Sequence, residues 1–291
     1  NMGISAISRL GLYIVVAAMA MSSAATNENV GAPATALRIA SLNLCTDTLL
    51  LQYADPEQIA SVTWLSSDPN LSPFAAYART FHRNQGRAEG ILRRPIDLVL
   101  TGPTTSTATR AMLKRMEIAT LHLDDANSID ALSRNIRRLT QAIGQTTRGD
   151  ESLQFMYNTL AKLARGSKET AKDQWPYAAF IQPNGLTVGQ GSLSDELLHY
   201  AGFRNAATLL GLRTYQRFPL ESLLRVRPDL LIVQTQHRRY PSLAQELLRH
   251  PALVGTALRH EIQPSALMCA TTSIADVAVA LATTRQRLGR L

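Results

Sequence analysis

Cysteine is nearly absent: Cys45 and Cys269 are the only two in 291 residues. Two alone make a weak metal signature, although an even count in an exported chain points to a disulfide. Aromatic residues are scarce at 5%, and lysine is confined to Lys114, Lys162, Lys168 and Lys172, so the formal charge of +8 rests mainly on arginine. The arginines are scattered over helices and loops with no aromatic interleaving, which argues against a nucleic-acid surface. Attraction to an anionic solute or an acidic membrane surface is the more natural reading. No glycine-rich phosphate loop follows the first strand, where Leu42-Asn43-Leu44-Cys45-Thr46 stands instead. Neither a Gly-x-Ser-x-Gly elbow nor a His-Glu-x-x-His pair occurs. Gly189-Gln190-Gly191 has no Lys-Ser after it and reads as a turn. Enzyme signatures are missing, and no catalytic residue is assigned.

Long apolar runs are missing too. Leu10 to Met21 is uncharged, follows Arg9 and precedes Ser22-Ser23-Ala24-Ala25. That is the pattern of a cleaved secretory signal over residues 1–25, and the run is too short for a comfortable membrane span. No cysteine follows it directly, so no lipid anchor is expected. No later segment stays apolar for 18 residues, so the exported chain is expected to be soluble.

What remains alternates strands with helices, which implies mainly parallel sheets. Strands are predicted at 38–44, 59–64, 96–100, 118–123, 177–181, 230–234 and about 261–263. Helices are predicted at 46–53, 109–116, 127–143, 194–200, 242–249 and 273–288. Between the two series, residues 147–165 read as one helix, with Leu153, Met156, Tyr157, Leu160 and Leu163 in a single stripe and Gly166 as its stop. The flanks repeat one another. Glu89-Gly-Ile-Leu-Arg-Arg-Pro-Ile-Asp-Leu-Val-Leu100 aligns with Glu221-Ser-Leu-Leu-Arg-Val-Arg-Pro-Asp-Leu-Leu-Ile232 at a constant offset of 132. Two copies mean two lobes rather than a solenoid. The expected organisation is a lead-in at 26–37, an N-terminal α/β lobe at 38–126, linking helices at 127–170 and a C-terminal α/β lobe at 171–291. The fold class is thus α/β, two Rossmann-like lobes bridged by one long helix with a ligand cleft between them.

Ligands of parallel sheets sit beyond the carboxyl ends of the strands. Of the acid–base candidates there, Asp47, Asp68, His82 and His237, Asp47 reads as a helix cap together with Thr46. Cys45 and Cys269 fall at such ends on opposite lobes. Three readings stand: a disulfide, two small buried thiols, or thiolates that contact a soft metal with Met268 or His82.

In these residues the chain resembles the periplasmic solute-binding proteins of the ABC importers for vitamin B12 and ferric siderophores. The likeness is carried by Ala40-Ser41-Leu42-Asn43-Leu44-Cys45-Thr46-Asp47-Thr48-Leu49, by Gly86 to Leu100, and by Arg227 to Ile232. The first Pro-Asp block reads Arg94-Pro95-Ile96-Asp97, one residue longer than usual. The resemblance implies a stiff two-lobed receptor without an intrinsic cofactor. Its ligand would be a ferric siderophore or a corrinoid, and its partner an inner-membrane ABC permease. It implies a periplasmic monomer that performs no chemistry and binds no nucleic acid. By position it marks Asn43, Cys45, Thr46, Trp64, His82, Arg83, Leu186, Tyr215, Met268 and Cys269 as ligand-side residues. Leu186 departs from the aromatic common in B12 binders. Glu89 and Glu221 are marked as the glutamates that dock each lobe on the permease; each would also favour the first turn of its own helix. Arg79, Arg83 and Arg87 could attract an anionic ferric chelate. The alternatives are a free metal-ion receptor, for which no cluster of three or four His, Asp or Glu residues is found, and a two-lobed enzyme.

Overall fold

The computed structural model describes residues 37–91, 93–234, 250–251 and 257–289. The expected signal, residues 26–36 of the lead-in, His237 and the helix expected at 242–249 lie outside them. Residues 36–291 form one compact unit.

The first lobe is a five-stranded parallel sheet, β1 (Ile39–Ser41), β2 (Ile59–Thr63), β3 (Arg83–Asn84), β4 (Leu98–Thr101) and β5 (Thr120–His122), in the order β3-β2-β1-β4-β5. Its strands are short and its central residues fully buried, as expected for a sheet covered on both faces. Helices α1 (Leu44–Tyr53), α2 (Ala75–Ala78) and α3 (Thr107–Arg115) form its crossovers, followed by α4 (Ile129–Ala142). The long helix α5 (Thr146–Ser167) has 22 residues and spans about 33 Å. Leu153, Met156 and Leu160 of its stripe are buried, with Tyr157 and Leu163 partly so. Gly166 does not end it. The helix runs through that glycine to Ser167 and closes on Lys168 in right-handed geometry, so no left-handed stop is needed.

The second lobe holds β6 (Tyr177–Ile181), β7 (Leu186–Val188), α6 (Leu193–Ala201), β8 (Arg204–Asn205), β9 (Tyr215–Arg217), α7 (Leu220–Val226), β10 (Leu230–Gln234), β11 (Leu258–Ile262), α8 (Ser265–Met268) and α9 (Ile274–Leu288). Four of its strands form a separate parallel sheet, β11-β10-β6-β8, and β7 pairs with β9 in an antiparallel ribbon. Among the described residues the two large sheets share no strand.

The duplicated block has a structural cause. In each lobe its aspartate holds the start of the neighbouring strand. The Arg38 N–H donates to Asp97 Oδ2 at 2.8 Å, and the Tyr177 N–H donates to Asp229 Oδ2 at 2.7 Å. The reverse bonds, Asp97 N–H to the Arg38 carbonyl and Asp229 N–H to the Tyr177 carbonyl, are both 2.8 Å. A second pair was not apparent from sequence. Asn84 donates to the Ser41 carbonyl and Ser61 Oγ, and Asn205 donates to the Val188 carbonyl and Asp195 Oδ1. The blocks differ in one respect. Glu221 opens a true α-helix, whereas Glu89 lies in a single 3-10 turn, Ala88–Gly90.

The lobes are not free of each other behind the cleft. Ile274, Ala275 and Ala278 of α9 and Leu193 and Leu197 of α6 share one buried cluster with Leu49 and Leu50 of α1 and the stripe of α5. Polar ties add to it: Gln52 donates to Thr272 Oγ1 at 3.0 Å, and the Ile129 N–H donates to Glu196 Oε2 at 2.9 Å.

Candidate functional site

Between the lobes lies a cavity of about 230 Å³. Its first-lobe wall comes from the carboxyl ends of three adjacent strands: Asn43, Cys45 and Thr46 after β1, Pro103 after β4, and Leu123 to Asn127 after β5. Its second-lobe wall is Val188 of β7, Gly191 to Ser194 at the start of α6, Thr214 and Tyr215, and Leu267 to Ala270.

This placement sorts the candidate ligand residues. Asn43, Cys45, Thr46, Tyr215, Met268 and Cys269 line the cavity; Trp64, His82, Arg83 and Leu186 do not. The cavity sits over the β1–β4–β5 half of the first sheet. Trp64 follows β2 and His82 and Arg83 lie at the β3 edge, on the other side, where all three are exposed. Arg79 and Arg87 do not reach the cavity either. Leu186 begins β7, two residues before Val188, which does line it.

Cys45 and Cys269 are joined as a disulfide, with 4.8 Å between their Cα atoms. That removes the readings of free thiols and of metal-contacting thiolates. The bond stitches the N-terminus of α1 to the segment after α8, so it ties one lobe to the other in the cavity wall. Among the described residues no group of three His, Cys, Asp or Glu side chains could hold a metal ion.

Asn43, not Thr46 or Asp47, caps α1. Its Oδ1 accepts from the Cys45 N–H at 2.9 Å and the Thr46 N–H at 3.4 Å. Its Nδ2 donates to Thr104 Oγ1. The glycine after β4 allows this approach, since a Cβ at Gly102 would come within 2.8 Å of the Asn43 Cγ. Asp47 turns the other way. It is fully buried and accepts from the Thr63 N–H at 3.0 Å and from the Thr63 hydroxyl. Burial outweighs those hydrogen bonds and pushes its carboxyl up to about 7. Held behind the helix, Asp47 positions β2 and does not line the cavity.

The helix that opens the second-lobe wall is built alike. Ser192 accepts from the Asp195 N–H at 3.2 Å, and Asp195 Oδ2 accepts from the Gly191 N–H at 3.1 Å. Gly189 is required by close approach, because a Cβ there would stand 2.2 Å from the Leu212 carbonyl oxygen. The glycine pair is therefore a packed turn. Tyr215 extends from β9 over the cavity and remains 67% exposed. Partial desolvation, and then the Asp125 carboxylate, raise its pKa.

A family model described as "Periplasmic binding protein" matches residues 39–260. The chain belongs to this family. This periplasmic binding protein is 22% identical over 151 residues to YvrC of Bacillus subtilis (strain 168), an uncharacterised ABC transporter substrate-binding lipoprotein. The match covers 50% of this chain and 47% of the relative, so it spans about half the length of that curated protein. The periplasmic haem-binding protein RhuT from Roseiflexus sp. RS-1, in apo form, superposes with a TM-score of 0.67 at 20% identity, covering 86% of this chain and all of its own. The periplasmic vitamin B12 binding protein BtuF of Vibrio cholerae gives 0.65 at 16% identity, covering 88% and 99%. These structural likenesses establish the two-lobed fold. Family membership groups the protein with binding proteins that work outside the cytoplasm.

Proposed function

We propose that this protein captures a metal chelate of the ferric siderophore type, or a corrinoid, in the cleft and delivers it to an ABC permease in the membrane. The observation that carries the reading is one cavity walled jointly by two separately folded sheets. Val188, Leu267, Met268 and the disulfide give it apolar walls, and Tyr215 supplies an aromatic cover. At about 230 Å³ it is smaller than the roughly 300–1,000 Å³ of typical small-molecule sites, so a bulky guest seats one edge and overlies the mouth. RhuT and BtuF, by their names, bind haem and vitamin B12 on the same architecture.

Glu89 and Glu221, both exposed, one in each lobe, are proposed to dock the loaded protein on the permease. Export with cleavage after residue 25 and without a lipid anchor completes the reading. YvrC is named as a lipoprotein, so the intact mass of the exported chain is the check on that step. The protein acts as a monomer and carries no cofactor of its own.

Calorimetric titration with cobalamin, haem and a panel of ferric siderophores tests the function. Neither tryptophan lines the cavity, so heat is the better readout than fluorescence. Micromolar or tighter binding of one chelate is expected. Binding of none, with high-affinity uptake of a free metal ion, would overturn the proposal in favour of an ion receptor.

A further inference from the structure

Two opposing facts meet at the cleft. The chain is strongly basic, at +8, yet among the described residues the charged side chains that line the cavity are Asp124 and Asp125 alone. Helix ends would be the other source of charge there, because N-terminal N–H groups favour anions. Three helices begin at the cavity among the described residues, and each carries a side-chain cap. Asn43 caps α1, Ser128 caps α4, and Ser192 caps α6. Carboxylates add to two of them, Glu196 on the Ile129 N–H and Asp195 on the Gly191 N–H. Among the described residues each of these helix starts already commits part of its N–H capacity to the chain's own side chains.

The two aspartates are not equivalent. Asp124 lies 3.8 Å from Arg138 and 3.7 Å from His122. Asp125 has no ion-pair partner within 4 Å among the described residues and acts electrostatically on Tyr215, across the cleft. A carboxylate of one lobe and a phenol of the other thus line the same cavity.

Given that the cleft is the guest site, we propose that Asp125, with Tyr215 opposite, selects guests presenting positive charge. The preferred class is a cationic chelate, or a neutral one with a protonated amine on its rim. Polyanionic chelates such as catecholates or dicarboxylate macrocycles are disfavoured. The arginines expected to supply the opposite preference, Arg79, Arg83 and Arg87, lie away from the cavity.

The test uses the full exported protein and two probes that share one ferric core and carry opposite charges on the pendant arm. Ferrioxamine B is a ferric trihydroxamate with a free ammonium arm, and its N-succinyl derivative ends in a carboxylate. Calorimetry at low salt should show the ammonium form binding about five- to ten-fold tighter, the size of one weakly screened charge pair. The ratio should shrink as salt rises and fall to within about two-fold in Asp125→Asn. Equal binding of both probes, tighter binding of the carboxylate form, or an unchanged ratio in Asp125→Asn would overturn the charge selection while leaving the cleft as the chelate site. Binding of neither probe, with uptake of other chelates also absent, would remove the chelate reading and this proposal together.

Discussion

Removing the disulfide is the sharpest perturbation available, since the bond ties lobe to lobe in the wall of the binding cavity. Cys45 and Cys269 are 224 residues apart, so the bond closes most of the chain into one loop. The chain-entropy relation gives about 5 kcal/mol for a loop of that length, and native disulfides commonly contribute about 2–5 kcal/mol. For a chain of this size that is a fall in Tm of roughly 5–15 °C. Cys45→Ser with Cys269→Ser, which leaves no lone thiol, should melt that much lower than the oxidised protein by calorimetry, and the reduced wild type should match it. Oxidised protein unfolded in denaturant should show no free thiol. The core shared by α1, α5, α6 and α9 survives in the variant, so it should still fold. A double variant melting within about 2 °C of the oxidised protein, or two titratable thiols in the purified protein, would refute the reasoning.

Other predictions follow from the same contacts. Asn84→Ala and Asn205→Ala each strand buried hydrogen-bond partners, so each should cost about 2–3 kcal/mol in denaturant unfolding, and losses under 1 kcal/mol would deny their tying role. The Asp47 carboxyl titrates near 7 folded against 3.8 unfolded, so its contribution is complete below about pH 4 and is lost as pH rises through 7. Asp47→Asn should therefore gain on wild type by up to about 4 kcal/mol between pH 4 and pH 8, and a flat difference across that range would contradict the buried-carboxyl account. Glu89→Lys with Glu221→Lys should abolish uptake in cells at unchanged ligand affinity; normal uptake would exclude docking through these residues.

The parts of the fold that were readable from sequence are those where burial imposes a period. Strands β6 and β10 are continuous apolar runs, and α4 and α5 keep one apolar stripe over several turns. The elements that escaped are short or lack that pattern. Strands β3 and β8 have two residues each, and β9 is exposed throughout, so nothing in their composition marks them. The cap of α1 was misplaced because Asn43, Thr46 and Asp47 are all good capping types, and only tertiary structure shows Asp47 reaching Thr63 instead. Gly166 failed as a stop for a related reason: packing of the α5 stripe sustains the helix past a residue of low propensity. At the site, the strand-end rule brought Asn43, Cys45, Thr46, Met268 and Cys269 to the cavity wall. It could not say which half of the first sheet the cavity covers, and that choice leaves Trp64, His82 and Arg83 outside. Asp124 and Asp125 went unremarked because a loop aspartate pair has no pattern of its own.

The most direct measurement is hydrogen exchange on the full protein with and without a saturating chelate. Capture between the lobes predicts coincident protection of 43–49 and 123–127 from one lobe and of 188–194 and 267–270 from the other. Protection confined to a single lobe, or centred on the β2–β3 edge around Trp64 and Arg83, would contradict the account.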